Sequence, residues 1–271
     1  MTVLVTGATG TVGRHIVRGL IDRGQQVRAL TRNPATAALP DGAEVAAGDL
    51  ADPGTLSEAF EGVEAMHLIS FADAAYSPLR TAPEVLELAL RAGVRRITVL
   101  TGFAPGPVER AVEAAGVEWT HVQPVEFMAN ALAWSDAVRA GVVEIPFAHT
   151  RSAMVHEADI AAVAVTALVE DGHSGKAYTV TGPEAISYAE AVRTVGEVVG
   201  KPIRLVELTE EQARAEFREA GYSEAEVDEF VELGSNPPEH ARTVAPTVRE
   251  VTGTPGRTFA EWVAENAAAF R

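Results

Sequence analysis

The sequence predicts an α/β fold, in which a doubly wound parallel sheet is followed by a smaller, mostly helical C-terminal lobe. Over the first 125 residues, short apolar runs alternate with amphipathic stretches, as parallel strands and crossover helices do. Beyond Pro124 this alternation gives way to mostly helical patterns. We therefore expect a core of residues 1–125 and a lobe of residues 126–271. The lobe should return at least one strand, at about 178–181, to the sheet.

The individual elements follow from apolar periodicity and from glycine caps. Strands are predicted at 3–6, 26–30, 44–47, 65–70, 96–101 and 118–123. Helices are predicted near 11–24, 56–60, 83–92 and 108–115 in the core, and at 127–141 and 159–170 in the lobe. The last of these is expected to be capped by Asp159. Four capping boxes indicate helix starts after Ser187, Thr209, Ser223 and Thr258.

Composition excludes several classes of protein. The chain has 271 residues, of which 47% are hydrophobic, enough for a sizeable core. Its net charge of −16 disfavours nucleic acid and membrane surfaces as partners, because both select basic faces. It has no cysteine, and its histidines have no metal-ligand spacing, so no metal is expected. Without a signal peptide or a membrane-length apolar run, we expect a cytoplasmic monomer or homodimer with a small-molecule substrate.

A glycine motif, Gly7-x-x-Gly10-x-x-Gly13, lies between the first predicted strand and the first predicted helix. Gly7 permits a tight turn, Gly10 permits the backbone to approach a pyrophosphate, and Gly13 lets the helix lie close on the sheet. Backbone N–H groups at the helix start would donate to the phosphates, namely those of Thr9, Thr11 and Val12. The position between strand and helix predicts a dinucleotide site.

The end of the second predicted strand indicates which dinucleotide binds. An NAD-specific site has a carboxylate there, whereas this chain has Thr31 and Arg32. A guanidinium suits the 2′-phosphate of NADP, so we expect NADP(H), although a surface arginine is the alternative. After the third strand, Asp49 is expected to accept from the adenine amino group and Leu50 to cover the ring. An ordinary turn at Asp49 is the alternative.

Several motifs together resemble the NmrA-like branch of the atypical short-chain dehydrogenase/reductases. Besides the glycine motif they are Arg32-Asn-Pro, Gly48-Asp49-Leu50, Gly116-Val-Glu-Trp119-Thr-His-Val-Gln-Pro124-x-x-Phe127-Met, His156-Glu-Ala-Asp159-Ile-Ala-Ala-Val-Ala, Tyr178-x-Val-Thr-Gly182-Pro-Glu and Arg257-Thr-Phe-Ala-Glu-Trp-Val. The chain is most similar to bacterial relatives of quinone, triphenylmethane-dye and ergot-alkaloid-type reductases. This resemblance implies a Rossmann-type fold that binds NADP(H), with Pro124, Val125 and Glu126 near the nicotinamide. The branch includes non-catalytic redox sensors as well as enzymes.

Catalytic residues are harder to predict. Ser70 and Thr101 end the fourth and fifth strands and are expected to face the ribose or the nicotinamide, although such hydroxyls also cap turns. The chain lacks the Tyr-x-x-x-Lys pair with which short-chain dehydrogenases protonate an alkoxide, since its lysines are only Lys176 and Lys201. Tyr76 is a weak candidate for the acid. Other candidates, each also explained as structural, are Glu126, His149 and His156.

The apolar residues expected around the binding cleft are Phe103, Phe127, Met128, Trp134 and Phe147. They suit a flat hydrophobic substrate, and they equally suit an interface between lobes. The leading hypothesis is an NADP(H)-dependent reductase of a small planar electrophile of the quinone, enone or iminium type, because such acceptors need less help from a protein acid. Two alternatives stay open: an NADP(H)-sensing regulatory protein, and a non-redox isomerase or lyase on the same fold.

Overall fold

The computed structural model describes residues 1–72, 77–102 and 105–271. These residues form two compact units. Unit 1 comprises Met1–Pro124, Glu157–Val180 and Thr247–Gly253. Unit 2 comprises Val125–His156, Thr181–Pro246 and Thr254–Arg271. The chain therefore leaves unit 1 after Pro124 and returns to it twice.

Unit 1 contains a seven-stranded sheet flanked by helices. Its strands are β1 Thr2–Val5, β2 Gln26–Thr31, β3 Ala43–Ala47, β4 Ala65–Ile69, β5 Arg96–Leu100, β6 Glu118–Pro124 and β9 Lys176–Val180. Its helices are α1 Gly13–Asp22, α2 Ser57–Phe60, α3 Ala82–Ala92, α4 Pro107–Ala114, α6 Glu157–Val169 and α11 Thr247–Thr252. All neighbouring strands are parallel, in the order β3-β2-β1-β4-β5-β6-β9. The predicted α/β parallel sheet is confirmed.

The centre of this sheet is apolar because both faces are covered. Val3, Leu4 and Val5 of β1 are fully buried, as a continuous apolar run in a parallel sheet should be. The strand order reverses between β1 and β4, so their connections leave in opposite directions. In open parallel sheets, the carboxyl ends at such a reversal form the usual ligand crevice.

Unit 2 is mostly helical and also contains two small strand pairs. Its helices are α5 Ser135–Ala140, α7 Tyr188–Val199, α8 Glu210–Glu219, α9 Glu224–Ser235, α10 Glu239–Arg242 and α12 Phe259–Glu265. The strands β7 Val142–Pro146 and β11 Arg204–Leu208 are parallel, and β8 Arg151–Ser152 and β10 Ile186–Ser187 are antiparallel. Its core surrounds Phe259 and Trp262, whose rings stack with centroids 5.7 Å apart.

The four predicted capping boxes are confirmed at the starts of α7, α8, α9 and α12. Two helix predictions were wrong in detail. The stretch predicted as one helix at 127–141 is a 3₁₀ segment, Met128–Trp134, followed by α5. α6 begins at Glu157, so Asp159 lies in its first turn, where a carboxylate stabilises the helix dipole, and is not the cap.

Among the described residues, no helix is long and apolar enough to cross a membrane. The same part of the chain contains no group of three His, Asp or Glu side chains that could hold a metal ion.

Candidate functional site

The glycine turn after β1 leaves little room for a Cβ atom at its three glycines. Gly7 has a φ of 61°, in the left-handed region that favours glycine. A Cβ on Gly10 would lie 3.1 Å from the carbonyl oxygen of Gly7, and a Cβ on Gly13 would lie only 2.1 Å from it. Gly13 therefore lies close to the backbone of the turn at Gly7, whereas the sequence suggested that it lets the helix approach the sheet. Glycine is required because the obstacle is backbone, which cannot rotate away.

The first turn of α1 is open to an anion. Val12 precedes the helix, no side chain caps it, and its first turn contains no acidic residue. The first N–H groups of a helix have no partner within it, and the helix dipole makes them attractive to phosphate. Thr9 is exposed and Thr11 partly exposed beside this helix start. The local structure thus fits a dinucleotide diphosphate.

Thr6 connects the two central strands where the sheet order reverses. Its hydroxyl donates to the carbonyl oxygen of His67 and accepts from the N–H of Ile69, with both distances 3.0 Å. Ile69 ends β4, and its side chain is 3.0 Å from the Cβ position of Gly7. The hydroxyl of Thr6 therefore holds β1, β4 and the glycine turn in register. The sequence prediction did not single out this residue.

A cavity of about 190 Å³ opens beside the turn. Five of the predicted cofactor residues line it, namely Gly7, Thr9, Arg32, Asp49 and Leu50. Thr31, Asn33, Ile69 and Phe71 are also part of the lining. The cavity thus brings together residues from the ends of β1, β2, β3 and β4, as expected for a ligand crevice of a parallel sheet.

Arg32 is exposed at the end of β2. Within residues 1–72, 77–102 and 105–271, it makes no ion pair with a carboxylate. It also lines a second, wider cavity of about 620 Å³ together with Asp49, Thr55 and Ser57. A guanidinium at the edge of a cavity that makes no ion pair in the described part of the chain is available for a phosphate.

Asp49 forms the turn that was one interpretation of the sequence, and the adenine role of Asp49 and Leu50 stays a prediction. Asp49 belongs to a turn, since its carboxylate accepts from the N–H of Ala51 at 2.9 Å and its own N–H donates to Thr55 Oγ1 at 3.0 Å. Both Asp49 and Leu50 also line the cavity. The turn therefore presents these residues to the cavity.

Ser70 and Thr101 are buried, and their hydroxyls already have protein partners. Ser70 Oγ donates to the carbonyl oxygen of Leu100 at 3.2 Å. The hydroxyl of Thr101 donates to the carboxylate of Glu109, which also accepts from the N–H of Gly106 at 2.8 Å. Neither residue belongs to the described lining of the 190 Å³ cavity. The partner role of Glu109 was missed, although Gly-Pro-Val-Glu is a recognisable helix start.

Unit 2 has an aromatic cavity of its own, of about 240 Å³. The expected residues Trp134 and Phe147 line it, with Phe217 and Phe230 from α8 and α9. Of the other expected apolar residues, Phe127 is partly buried and Met128 lies fully buried in the core. Neither belongs to the described lining. Tyr76 and Phe103 lie outside the described residues.

Phe147 is held in the wall of this cavity by an unusual backbone. Its φ is 53°, which costs about 1–2 kcal/mol for a residue with a side chain. Its ring packs on α9 at Gly234, where a Cβ would lie 2.5 Å from the ring. The glycine therefore permits the close approach of the ring, and packing holds the strained conformation.

Glu126 and Tyr188 form a hydrogen-bonded pair at the wall of the cavity. Pro124 ends β6, and Val125 and Glu126 follow it directly in the chain. Tyr188 Oη donates to Glu126 Oε2 at 2.9 Å, and the hydroxyl of Ser152 is a second partner of this carboxyl group. Burial raises the pKa of Glu126 above its ordinary value, and the two hydrogen bonds partly oppose the shift.

The pairing of Glu126 with Tyr188 has no local signal in the sequence, because the two residues are 62 positions apart. The two histidines considered as acids have other surroundings. His149 is exposed, 3.8 Å from Glu207. His156 is buried, with its Nε2 atom 3.2 Å from Glu265.

Comparison with known proteins gives a consistent result. Residues 7–108 match an NAD(P)H-binding family. The chain is 36% identical to an NAD(P)H azoreductase of Xenophilus azovorans, with 99% of both chains covered. It is 38% identical to a (4-alkanoyl-5-oxo-2,5-dihydrofuran-3-yl)methyl phosphate reductase of Streptomyces griseus, again with 99% of both covered.

The fold is shared with a solved quinone reductase. The NADPH complex of the NADPH-dependent quinone oxidoreductase QOR2 of Escherichia coli has a TM-score of 0.79 and 25% identity, covering 98% of this chain and 99% of that one. The predicted family, the Rossmann-type fold and a nicotinamide dinucleotide cofactor are thereby confirmed. The chain belongs to the NAD(P)H-binding, NmrA-like branch of the atypical short-chain dehydrogenase/reductases.

Proposed function

We propose that this protein is an NADPH-dependent reductase of small planar acceptors with a conjugated double bond, of the quinone, enone or iminium type. The observation that carries the proposal is the aromatic cavity of unit 2, whose polar groups are few. A wall of aromatic rings favours a flat apolar molecule, and few polar groups suffice to orient it. The other unit has the open glycine turn of a dinucleotide-binding protein.

In this proposal, unit 1 supplies the groups that hold the diphosphate, the 2′-phosphate and the adenine. The N–H groups of Thr9, Thr11 and Val12 bind the diphosphate, and Gly7, Gly10 and Gly13 leave it the necessary space. Arg32 binds the 2′-phosphate and so favours NADPH over NADH. Asp49 and Leu50 hold the adenine, and Ser70, Thr101 and Pro124 with Val125 and Glu126 frame the ribose and the nicotinamide. When bound, reduced nicotinamide supplies the hydride.

The names of the relatives support this substrate class. These names refer to an azo compound, to an unsaturated lactone bearing a second carbonyl group, and to a quinone. The lactone and the quinone have C=C bonds conjugated to carbonyl groups, the azo compound has an N=N bond, and bonds of these kinds accept hydride. None of the names specifies an isolated ketone or alcohol, for which a Tyr-x-x-x-Lys pair is needed, and this chain has no such pair.

Turnover of NADPH with a panel of acceptors tests the proposal. The panel contains menadione, an α,β-unsaturated lactone, an azo dye and a cationic triphenylmethane dye, each assayed with NADPH and with NADH. We expect NADPH consumption with at least one acceptor, and a preference for NADPH.

Tight cofactor binding without consumption by any acceptor would refute the proposal. The missing Tyr-x-x-x-Lys pair favours a redox sensor in that case, and a sensor must bind NADPH and NADP⁺ with different affinities. Product formation without a net change in nicotinamide absorbance would indicate an isomerase or lyase.

A further inference from the structure

The aromatic cavity of unit 2 contains one ionisable pair, Glu126 and Tyr188. The rest of its described lining is apolar apart from Asn130. Placing a carboxyl group in such surroundings costs free energy, and a protein keeps such a group only where hydrogen bonds or a function compensate. Glu126 has such hydrogen bonds, and because the pair lines the cavity, a molecule bound there would meet it.

Backbone hydrogen bonds to Val155 hold the segment that carries Glu126. The carbonyl oxygen of Glu126 accepts from the N–H of Val155 at 2.8 Å, and the N–H of Met128 donates to the carbonyl oxygen of Val155 at 3.0 Å. This short ladder fixes the backbone from Glu126 to Met128. Glu126 is therefore placed by secondary-structure contacts and not by a free loop.

Tyr188 and Ser152 are also held in place by regular secondary structure. Tyr188 is the first residue of α7, directly after the capping box of Ser187 and Glu190. Ser152 belongs to β8, which pairs with β10 so that Ser152 lies opposite Ile186. Both hydroxyls reach the same carboxyl group. Such an arrangement of a carboxyl group with two fixed donors is preorganised for the charged form that follows loss of a proton.

The electrostatic surroundings keep this carboxyl group protonated to a higher pH than usual. Burial raises the pKa of Glu126, and burial and the nearby carboxylate also raise the pKa of Tyr188, which therefore remains a hydrogen-bond donor. The guanidinium of Arg151, on the same strand as Ser152, is paired with Glu190 at 3.0 Å. A carboxylic acid held neutral near its working pH can donate its proton to a substrate.

We infer that Glu126 is the general acid of the proposed reductase and that Tyr188 positions it. The inference rests on the proposed function. With an enone, hydride from reduced nicotinamide bonds to the β-carbon, and the electron pair of the double bond moves towards the carbonyl group. The O–H bond of Glu126 then breaks, and its proton bonds to the resulting enolate. The carboxylate left behind retains the hydrogen bonds from Tyr188 and Ser152 and recovers a proton from water.

This assignment separates two kinds of acceptor. Quinones, enones and azo compounds become anions when they gain hydride, so their reduction requires a proton. A triphenylmethane cation becomes neutral on gaining hydride and requires none. Loss of Glu126 should therefore slow the first kind much more than the second.

The test compares Glu126→Gln and Tyr188→Phe with the original protein, using menadione and a triphenylmethane dye. Glu144→Gln, on the exposed side of β7, is the matched control. General acids contribute about 10²–10⁴-fold to a rate. We expect the ratio of the menadione rate to the dye rate to fall at least tenfold in Glu126→Gln and to be unchanged in Glu144→Gln. An unchanged ratio in Glu126→Gln would overturn the inference.

The pH profile with menadione tests the role of Tyr188. The original kcat should decline as the pH rises through the pKa of Glu126, because the acid must be protonated. Tyr188→Phe removes a hydrogen bond to the carboxylate and should move this decline to higher pH. The assignment would be contradicted if kcat in Tyr188→Phe declined at the same pH as in the original protein. It would also be contradicted if kcat in Glu126→Gln still declined over that pH range.

An infrared measurement without cofactor or substrate separates this inference from the proposed function. Difference spectra between the original protein and Glu126→Gln, recorded against pH, should contain the carbonyl band of a protonated carboxyl group persisting above the usual range of glutamate. If this band is present but no acceptor is reduced, the proposed function fails, although the carboxyl group of Glu126 is still protonated above the usual pH range. If acceptors are reduced and the band is absent, the inference fails alone.

Discussion

The substitution Gly13→Ala gives the sharpest prediction about the dinucleotide turn. The added Cβ would lie 2.1 Å from the carbonyl oxygen of Gly7, 2.8 Å from its carbonyl carbon and 2.9 Å from the Cα atom of Ala8. All three atoms are backbone, so no side-chain rotation relieves the clash. The turn and the start of α1 must separate by about 1 Å before the contact is tolerable.

The expected magnitudes follow from this displacement. Overpacking of this kind costs about 1–3 kcal/mol of folding free energy. That cost lowers Tm by a few degrees to about 10 °C in a protein of this size. The displaced N–H groups no longer point at one phosphate position, and the loss of a charge-assisted hydrogen bond costs about 1.5–3 kcal/mol. The Kd for NADPH should therefore rise by about 10- to 100-fold.

Fluorescence titration with NADPH and thermal unfolding measure the two effects. Gly19→Ala is the matched control, because Gly19 lies in the same helix and the nearest atoms to its Cβ would be in the side chain of Val165, at 3.2 Å and beyond. We expect that control to keep the original Kd. Original affinity and Tm in Gly13→Ala would refute the claim that glycine is required there.

Three further predictions concern other parts of the chain. Arg32→Ala should raise the Kd for NADPH by about tenfold or more and leave the Kd for NADH unchanged, in fluorescence titrations with both cofactors. Ser187→Ala removes the hydroxyl that accepts from the N–H of Glu190 at 3.2 Å, and should lower Tm by about 2–4 °C, for a cost of about 1 kcal/mol. Burial lowers the pKa of His67 to about 3, whereas the pKa in the unfolded chain is near 6.5. Between these two pH values, the unfolded chain binds a proton at this histidine that the folded protein does not bind. This residue should therefore lower the free energy of unfolding by about 1.4 kcal/mol for each unit by which the pH falls. In His67→Leu, the free energy of unfolding measured with urea should depend less steeply on pH.

Much of unit 1 could be predicted because its signals are local. The run Val3-Leu4-Val5, the glycines that follow and the amphipathic helix are adjacent in the sequence, so strand, turn and helix are specified together. The same holds for the capping boxes, in which residues three positions apart bond to each other. Prediction succeeds where the partners in a contact are near neighbours.

The rest depends on contacts between distant residues. β8 and β10 have two residues each, too few for any periodicity, and exist because Ser152 pairs with Ile186. Glu126, Ser152 and Tyr188 meet only through folding, and nothing near Glu126 in the sequence indicates its partners. The hydroxyl of Thr101 bonds to Glu109, eight residues later, whereas the sequence left open whether Thr101 faces the cofactor or caps a turn. These polar pairs are specified by tertiary packing.

A crystal structure with bound NADP⁺ tests the central claim most directly. We expect density for the diphosphate at the N–H groups of Thr11 and Val12, and the 2′-phosphate within hydrogen-bond distance of the Arg32 guanidinium. A dinucleotide bound elsewhere, or one whose 2′-phosphate points into solvent away from Arg32, would contradict it.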